Sequence, residues 1–403
     1  MSEAAGCPSD STRSSTCDGE WLLLFYAPYA NDLWRVASSV FGSISSAFAK
    51  ASKDAGRCRD VRVLMQYKLR GDAHMRRRHW HCDAAVERDD DDHVIHLHEH
   101  AKGDTDASCA GSFRSFLSWA AGHVAAAEHV HIGVVVMGHG GGVMQICPEE
   151  VMGGSGGALR WMDVVDVAAA LEEFECSIAG RVGFIFLQNC CKATLPALWP
   201  FRHLQCLLIA SPTIIGAPNT YYSALIHHLF TCPAASPATA AATICNSELP
   251  QDFALLSVIF TASVQPFALA LDALASAAAP HMRSAAAARA LLDSVRGYVT
   301  NYGFTDEQGR SSTDCYVDVM RMCSALQQCV ISCTGSPPPV LLYERVQSCF
   351  TQLQQLRVVS SLAGSYSDFC GLCLFFPHVC LPATAPPAFT SLHSLPQSVR
   401  THA

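Results

Sequence analysis

Charge is scarce in this sequence. Asp, Glu, Lys and Arg make up 15% of 403 residues, with a net charge of -8. No basic stripe interleaved with aromatics runs along the chain, which argues against a polyanionic ligand and against direct contact with nucleic acid. The opening stretch, MSEAAGCPSDSTRSSTCDGE, has no apolar core and holds Glu3, Asp10, Asp18 and Glu20, so it does not read as a secretory signal. Cysteine is plentiful, yet the twenty present have no regular spacing, unlike the framework of a small disulfide-stapled domain. An intracellular, reducing setting is therefore expected, cytoplasmic or mitochondrial; the Ser-rich start leaves an organellar route open, although its acids oppose one. One uncharged run could pass for a membrane span. Phe253 to Leu271 carries no formal charge and is long enough to span a bilayer, but Gln265-Pro266 breaks it, so a buried strand and helix is the expectation and a membrane partner is not.

Metal and phosphate sites lack their signatures as well. His93, His96, His98 and His100 follow the acidic run Asp89 to Asp92, but alternation would put the histidines on uneven faces, and no Cys or carboxylate completes a tetrahedral set. These residues read as a solvated edge. Gly138 to Gly142 could cradle a phosphate, but neither a GK[ST] ending nor GxGxxG spacing accompanies it.

What the chain does have is apolar content. Half of its residues are hydrophobic, enough for a large core. Trp21 to Tyr26 reads as a first strand, Leu33 to Lys53 as a helix opened by Asn31-Asp32, and Val61 to Tyr67 as a second strand, an order that implies parallel pairing. Ser112 to Ala127 and Met162 to Phe174 read as helices, Leu207 to Ser211 as a strand, and Tyr222 to Phe230 as a helix. Residues 1–19 form a polar tail, 20–232 a core domain, and 233–250 an Ala/Pro-rich linker. Residues 251–403 form a helix-rich α/β extension, with strands expected at Val340 to Tyr343 and Gly371 to Phe376.

Two apolar runs organise the rest. Val134 to Met137 leads into Gly138-His139-Gly140-Gly141-Gly142, and Gly183 to Leu187 leads into Gln188-Asn189-Cys190-Cys191. Continuous β-branched and aromatic runs bounded by glycine read as strands buried on both faces, and sites on open parallel sheets lie at the carboxyl ends of strands. A histidine and a cysteine at two such ends suit a nucleophile and its base. A free thiol is only a few per cent ionised at neutral pH, so the cysteine needs that help. The amides of Gly140 and Cys190 could bind the developing oxyanion. An inert core cysteine beside a common glycine loop is the competing reading.

A strand ending in His-Gly followed by one ending in Gln-x-Cys resembles the caspase-like clan of cysteine peptidases, which includes caspases, legumain, gingipain, separase and clostripain. Further segments narrow the resemblance to the clostripain family. WLLLFYAPYANDL is similar to its opening strand and turn, SFRSFLSWAAGH and MDVVDVAAALEE to the helices before the His and Cys strands, LLIASPTIIGAPNTYYSALI to the segment after the nucleophile, and GLCLFFP to a strand near its C-terminus. The resemblance implies a three-layer α/β/α sandwich around a mostly parallel sheet. It implies that His139 is the acid-base and Cys190, by the Gln-x-Cys register, the nucleophile of a cysteine endopeptidase working through an acyl-enzyme. Gln188, Ser211 and Tyr221 become pocket candidates, and Arg160, after the glycine loop 153–157, a possible processing point. The low-charge, Cys-rich QNCC version also resembles the kinetoplastid branch of the family, tied to kinetoplast DNA upkeep.

The departures carry as much information. Relatives usually hold an aspartate where this chain has Gln188, and a second pocket acid near the position of Pro218; here no acid lies between Ala193 and Thr243. A neutral pocket cannot pair with a guanidinium, so strict Arg specificity is not implied unless a non-local acid reaches it. Calcium activates some relatives, but no Asp/Asn-rich loop here has the pattern of a calcium site, and no cofactor is expected. A monomer acting on a protein or peptide is the expectation, with a catalytically silent scaffold or binding protein on the same fold as the alternative.

Overall fold

The computed structural model describes residues 20–55, 61–81, 95–98, 103–124, 130–150, 159–232, 235–248, 255–282, 316–334, 340–360 and 370–375. The expectations for the N-terminal tail, Asp89 to Asp92, His93, His100, the 153–157 glycine loop and the 335–339 proline break lie outside them.

The first strand, β1 (Glu20–Tyr29), is buried along its whole length. Trp21, Leu23 and Phe25 join one core cluster, and Leu22, Leu24 and Tyr26 the other. Alternation across the pleat with both faces covered explains why this strand is continuously apolar after Glu20 rather than at every second residue. Helix α1 (Trp34–Asp54) follows, and β2 (Val61–Leu69) pairs with β1 in parallel. The apolar positions of α1, among them Ala37, Val40, Ile44 and Phe48, are the buried ones. Next come β3 (Arg76–Trp80) and β4 (Ile95–His98), antiparallel edge strands in the polar excursion. Helix α2 (Ala110–Ala121) buries Phe113, Phe116, Leu117 and Ala120 as its spacing predicts. β5 (Val130–Met137) then enters beside β1.

The chain next makes a ribbon that the sequence reading missed, β6 (Gln145–Glu150) with β7 (Leu159–Asp163). Met162 and Asp163, expected in a helix, end β7 instead, and Asp163 accepts the Val165 amide at 2.8 Å to start helix α3 (Val164–Ile178). β8 (Val182–Gln188), β9 (Leu207–Ala210) and helix α5 (Tyr221–Thr231) complete the expected core, with an unforeseen short helix, α4 (Leu195–Leu198), between the two strands. The supposed linker is largely helical. Pro237 to Glu248 forms α6, which buries Ala240, Ala241, Ile244 and Cys245, because an alanine-rich run is a good helix former once one face is covered.

From Leu255 on, β10 (Ser257–Phe260) and helix α7 (Val264–Ala278) account for the uncharged run as a strand and a helix; Ser257 to Ile259 are buried, whereas within the run α7 buries only Val264 and Phe267 and leaves Leu269 61% exposed. Among the described residues no helix is long and apolar enough to cross a membrane. β11 (Tyr316–Asp318) and helix α8 (Val319–Thr334) follow. Val340 to Tyr343 is not a strand but the start of helix α9 (Val340–Leu356). A four-residue apolar run cannot distinguish the two periods; Leu342, Val346, Cys349 and Leu353, all buried, set the helical one. β12 (Arg357–Ser360) and β13 (Cys373–Phe375) close the described chain.

Among the described residues the main sheet has nine strands, in the order β12-β10-β9-β8-β5-β1-β2-β3-β4. The five central strands are parallel, and only β3 and β10 run against the rest. Helices α1, α5 and α6 cover one face, and α2, α3 and α7 lie on the other. The expected α/β sandwich is therefore present, and the C-terminal region extends the same sheet through β10 and β12.

Candidate active site

Two adjacent parallel strands bring the candidate residues to one end of the sheet. β5 lies beside β8, with Met137 paired to Gln188. His139 and Cys190 each follow two residues beyond that pair, at the carboxyl ends of their strands.

The loop carrying His139 is held from several sides. Gly138 has a φ of +146° and its amide donates to the Gln188 carbonyl at 3.3 Å. The fully buried Asn189 returns two bonds, from Nδ2 to the carbonyls of Gly138 (2.9 Å) and His139 (3.3 Å). The Cys147 amide also donates to the His139 carbonyl at 3.0 Å, and the Gly141 amide to the Gln145 carbonyl at 2.9 Å. Gly140 lies between them, opposite Ile146. In an antiparallel ribbon the residue between two bonded positions turns its own amide the other way, so the Gly140 N–H faces away from β6. A Cβ on Gly140 would fall 2.2 Å from the Cys190 carbonyl oxygen and 2.7 Å from its nitrogen. Only glycine allows the two loops to approach this closely.

The imidazole of His139 is part-exposed, and its Nε2 is 2.6 Å from Asp32 Oδ1. That contact, first of all, holds the Asp32 carboxyl below the usual range. An ionised carboxylate only accepts, so Nε2 carries a proton, which leaves Nδ1 as the basic nitrogen of the neutral ring. Asp32 is placed by its neighbour: buried Asn31 donates from Nδ2 to the Pro148 carbonyl at 2.8 Å and accepts the Leu33 amide at 3.0 Å. The turn ahead of α1 is thus fastened to β6. In sequence, Asn31-Asp32 read as a helix cap; no one-dimensional signal points from Asp32 to a histidine on another loop.

Cys190 is half-buried, and its Sγ lies 3.9 Å from the Ile215 carbonyl. Cys191 turns inward with φ +55°, donates its amide to the Thr213 carbonyl at 2.7 Å, and has its thiol pushed up to about 12 by burial. The two neighbours thus differ in access, Cys191 buried and Cys190 half-buried. Lys192 is completely buried, an element the sequence reading passed over. Its Nζ donates to the Gly142 carbonyl at 2.7 Å and to that of Val143 at 3.4 Å, tying the His139 loop to the Cys190 strand. Burial pushes its ammonium down to about 8, against the pull of the nearby thiols of Cys191, Cys190 and Cys147 and of Asp163.

The pocket candidates divide. Gln188 and Tyr221 meet: Tyr221 Oη donates to Gln188 Oε1 at 2.8 Å. Ser211 is fully buried and serves its own loop, accepting the Thr213 amide at 3.0 Å while its carbonyl accepts the Ala193 amide at 2.8 Å. Arg160 sits away from them in β7, opposite Glu149, with Nη1 2.8 Å from Asp106 Oδ2. Asn219 and Glu248, both buried, join Gln188 although neither was singled out in sequence; Glu248 lay within the supposed linker. Among the described residues no cluster of His, Cys, Asp or Glu could hold a metal ion.

Known structures share this architecture. A secreted C11 cysteine protease from Bacteroides thetaiotaomicron, solved with an irreversible peptide inhibitor, superposes with a TM-score of 0.59 at 16% identity, over 90% of this chain and 94% of its own. An inactive zymogen C11 protease from Parabacteroides distasonis gives 0.59 at 14% identity, over 91% and 93%. A further secreted C11 protease from B. thetaiotaomicron, iotapain, gives 0.58 at 12% identity, over 89% and 93%. The chain has the caspase-like fold of these C11, or clostripain-family, cysteine proteases. No family model matches the sequence, and no curated protein matches it.

Proposed function

We propose that this chain is a cysteine endopeptidase. Cys190 is the nucleophile, His139 its base and then the acid for the leaving amine, and Asp32 the group that fixes the imidazole tautomer. The thiolate attacks the peptide carbonyl, the tetrahedral oxyanion is met by the amides of Gly140 and Cys190, and collapse gives an acyl-enzyme that water hydrolyses. Arg160 stands as a processing point only if the β6–β7 ribbon first opens around it.

One observation supports this reading most directly. A Cβ on Gly140 would press against the Cys190 peptide, and the Gly140 amide is turned from β6, so the two proposed oxyanion donors belong to adjoining peptides. The inward position of Cys191 supports Cys190 as the reactive thiol, and the fold likeness to C11 proteases supports peptide as the substrate. The test is labelling by a peptide ketone that reacts with thiols, together with hydrolysis of a mixed peptide library. Labelling and hydrolysis should vanish in Cys190→Ala and persist in Cys191→Ala. A protein that neither labels nor cleaves would instead be a binding protein on this fold.

A further inference from the structure

A chain of buried hydrogen bonds runs up to the nucleophile from behind. Glu248 on α6 is 1% exposed. Its Oε1 accepts the amides of Thr220 (2.6 Å) and Tyr221 (2.8 Å) and the Thr220 hydroxyl (3.1 Å), and its Oε2 accepts Asn219 Nδ2 at 3.0 Å. Asn219 Oδ1 accepts Gln188 Nε2 at 2.5 Å, which also donates to Tyr222 Oη at 3.2 Å. Tyr221 Oη donates to Gln188 Oε1.

The direction of every bond follows from one end. A carboxylate has no proton to give, so Asn219 turns its NH2 to Glu248 and its oxygen to Gln188. Gln188 must then turn its NH2 to Asn219 and its oxygen to Tyr221. The charge of Glu248 is met at its own end by the first amides of α5, where a helix carries partial positive charge, and none of it is passed to Gln188. The loop from Ser211 to Asn219 leaves β9, passes Cys190 Sγ at Ile215, and ends on this chain. Its walls at Ile214 and Ile215 are apolar and half-buried. Gln188 and Asn219 are each 6% exposed at the base of this loop, so a substrate side chain reaching past Ile215 would meet apolar walls and then an amide floor.

Resting on the peptidase reading above, we infer that Gln188, oriented through Asn219 by Glu248, makes the pocket beside Cys190 select an uncharged side chain before the scissile bond and reject Arg and Lys. The floor's hydrogen-bonding groups are already engaged with one another, and no carboxylate oxygen on it is open to a cation. A desolvated cation without a partner is disfavoured severely, roughly tenfold or more in specificity.

The test uses the full chain and peptides that differ only in the residue before the cleaved bond: Gln, Leu, Arg or Lys. The expected kcat/KM for Gln or Leu exceeds that for Arg and Lys by about tenfold or more. Gln188→Glu places a carboxylate oxygen against Asn219 Oδ1, an acceptor, so it turns to the pocket and should move the ratio toward Arg by about tenfold; Gln188→Asp should move it the same way. A wild-type preference for Arg or Lys overturns the inference even if both variants fail to fold, and so does an unmoved ratio in variants that do fold. Cleavage dependent on Cys190 but favouring Arg defeats the pocket alone, whereas cleavage that survives Cys190→Ala, or is absent across the library, defeats the peptidase reading and the pocket with it.

Discussion

Asp32 Oδ1 lies 2.6 Å from His139 Nε2, so a residue from the first βα turn fixes the tautomer of an imidazole on a distant loop. Asp32→Asn removes the charge and lets the ring turn or change tautomer. A bond to a charged group is worth about 1.5–3 kcal/mol when protected, but Asp32 is largely exposed and solvent screening reduces this. Turnover should fall by about tenfold, with melting temperature and peptide-ketone affinity little changed. The Asp32 carboxyl is held below its ordinary 3.8 by His139, so its stabilising contribution is intact above that value and is lost only in acid as pH falls through the depressed one.

Gly140 is a tightly constrained backbone position. Gly140→Ala would set a methyl 2.2 Å from the Cys190 carbonyl oxygen, and the nucleophile's peptide would have to move. Displacements near an ångström cost roughly a hundredfold in rate, and loss of an oxyanion donor costs a similar factor. The variant should remain folded by circular dichroism yet lose at least about a hundredfold in kcat. Activity within a few-fold of wild type would remove Gly140 from the oxyanion site.

The central sheet was legible because parallel strands buried on both faces leave continuous apolar runs, as at Val134–Met137 and Gly183–Leu187. The positions of His139 and Cys190 followed from the rule that sites gather at strand carboxyl ends. Asp32, Asn219, Lys192 and Glu248 were not legible as partners, since each acts across a large sequence separation through a polar contact that leaves no periodic trace. The β6–β7 ribbon was hidden by glycines that resemble an open loop, and α6 by an Ala/Pro/Thr composition shared by linkers and by packed helices.

Glu248→Gln tests the orienting role of that carboxylate through stability. The new amide would point a donor at Asn219 Nδ2, forcing Asn219 and then Gln188 to reverse or leaving buried groups unpaired. An unsatisfied buried polar group costs about 1–3 kcal/mol, and the first turn of α5 would lose its counter-charge as well. A clear drop in the denaturant midpoint at unchanged slope is expected; an unchanged midpoint would mean the chain tolerates either polarity.

Stability at alkaline pH should be decided by a contest of opposite signs. Burial pushes the thiols of Cys147, Cys191, Cys206 and Cys245 up to about 12 from 9.0. Between those values the unfolded chain has released protons that the native protein still holds, so each thiol lowers stability as pH rises. Lys192 works the other way. Its ammonium is pushed down to about 8 from 10.5, so above 8 the native protein has released a proton that the unfolded chain keeps, and stability rises until about 10.5. Four groups outweigh one, but Lys192 acts first. The melting temperature should therefore hold or rise slightly between pH 8 and 9 and fall steeply beyond it. Lys192→Met removes the early gain, so its melting temperature should decline from the outset of that range, and Cys147→Ala should soften the later fall. A Lys192→Met profile parallel to wild type from pH 7 to 10 would mean that Lys192 does not titrate in this window, and that the tie between the His139 loop and the Cys190 strand keeps its charge.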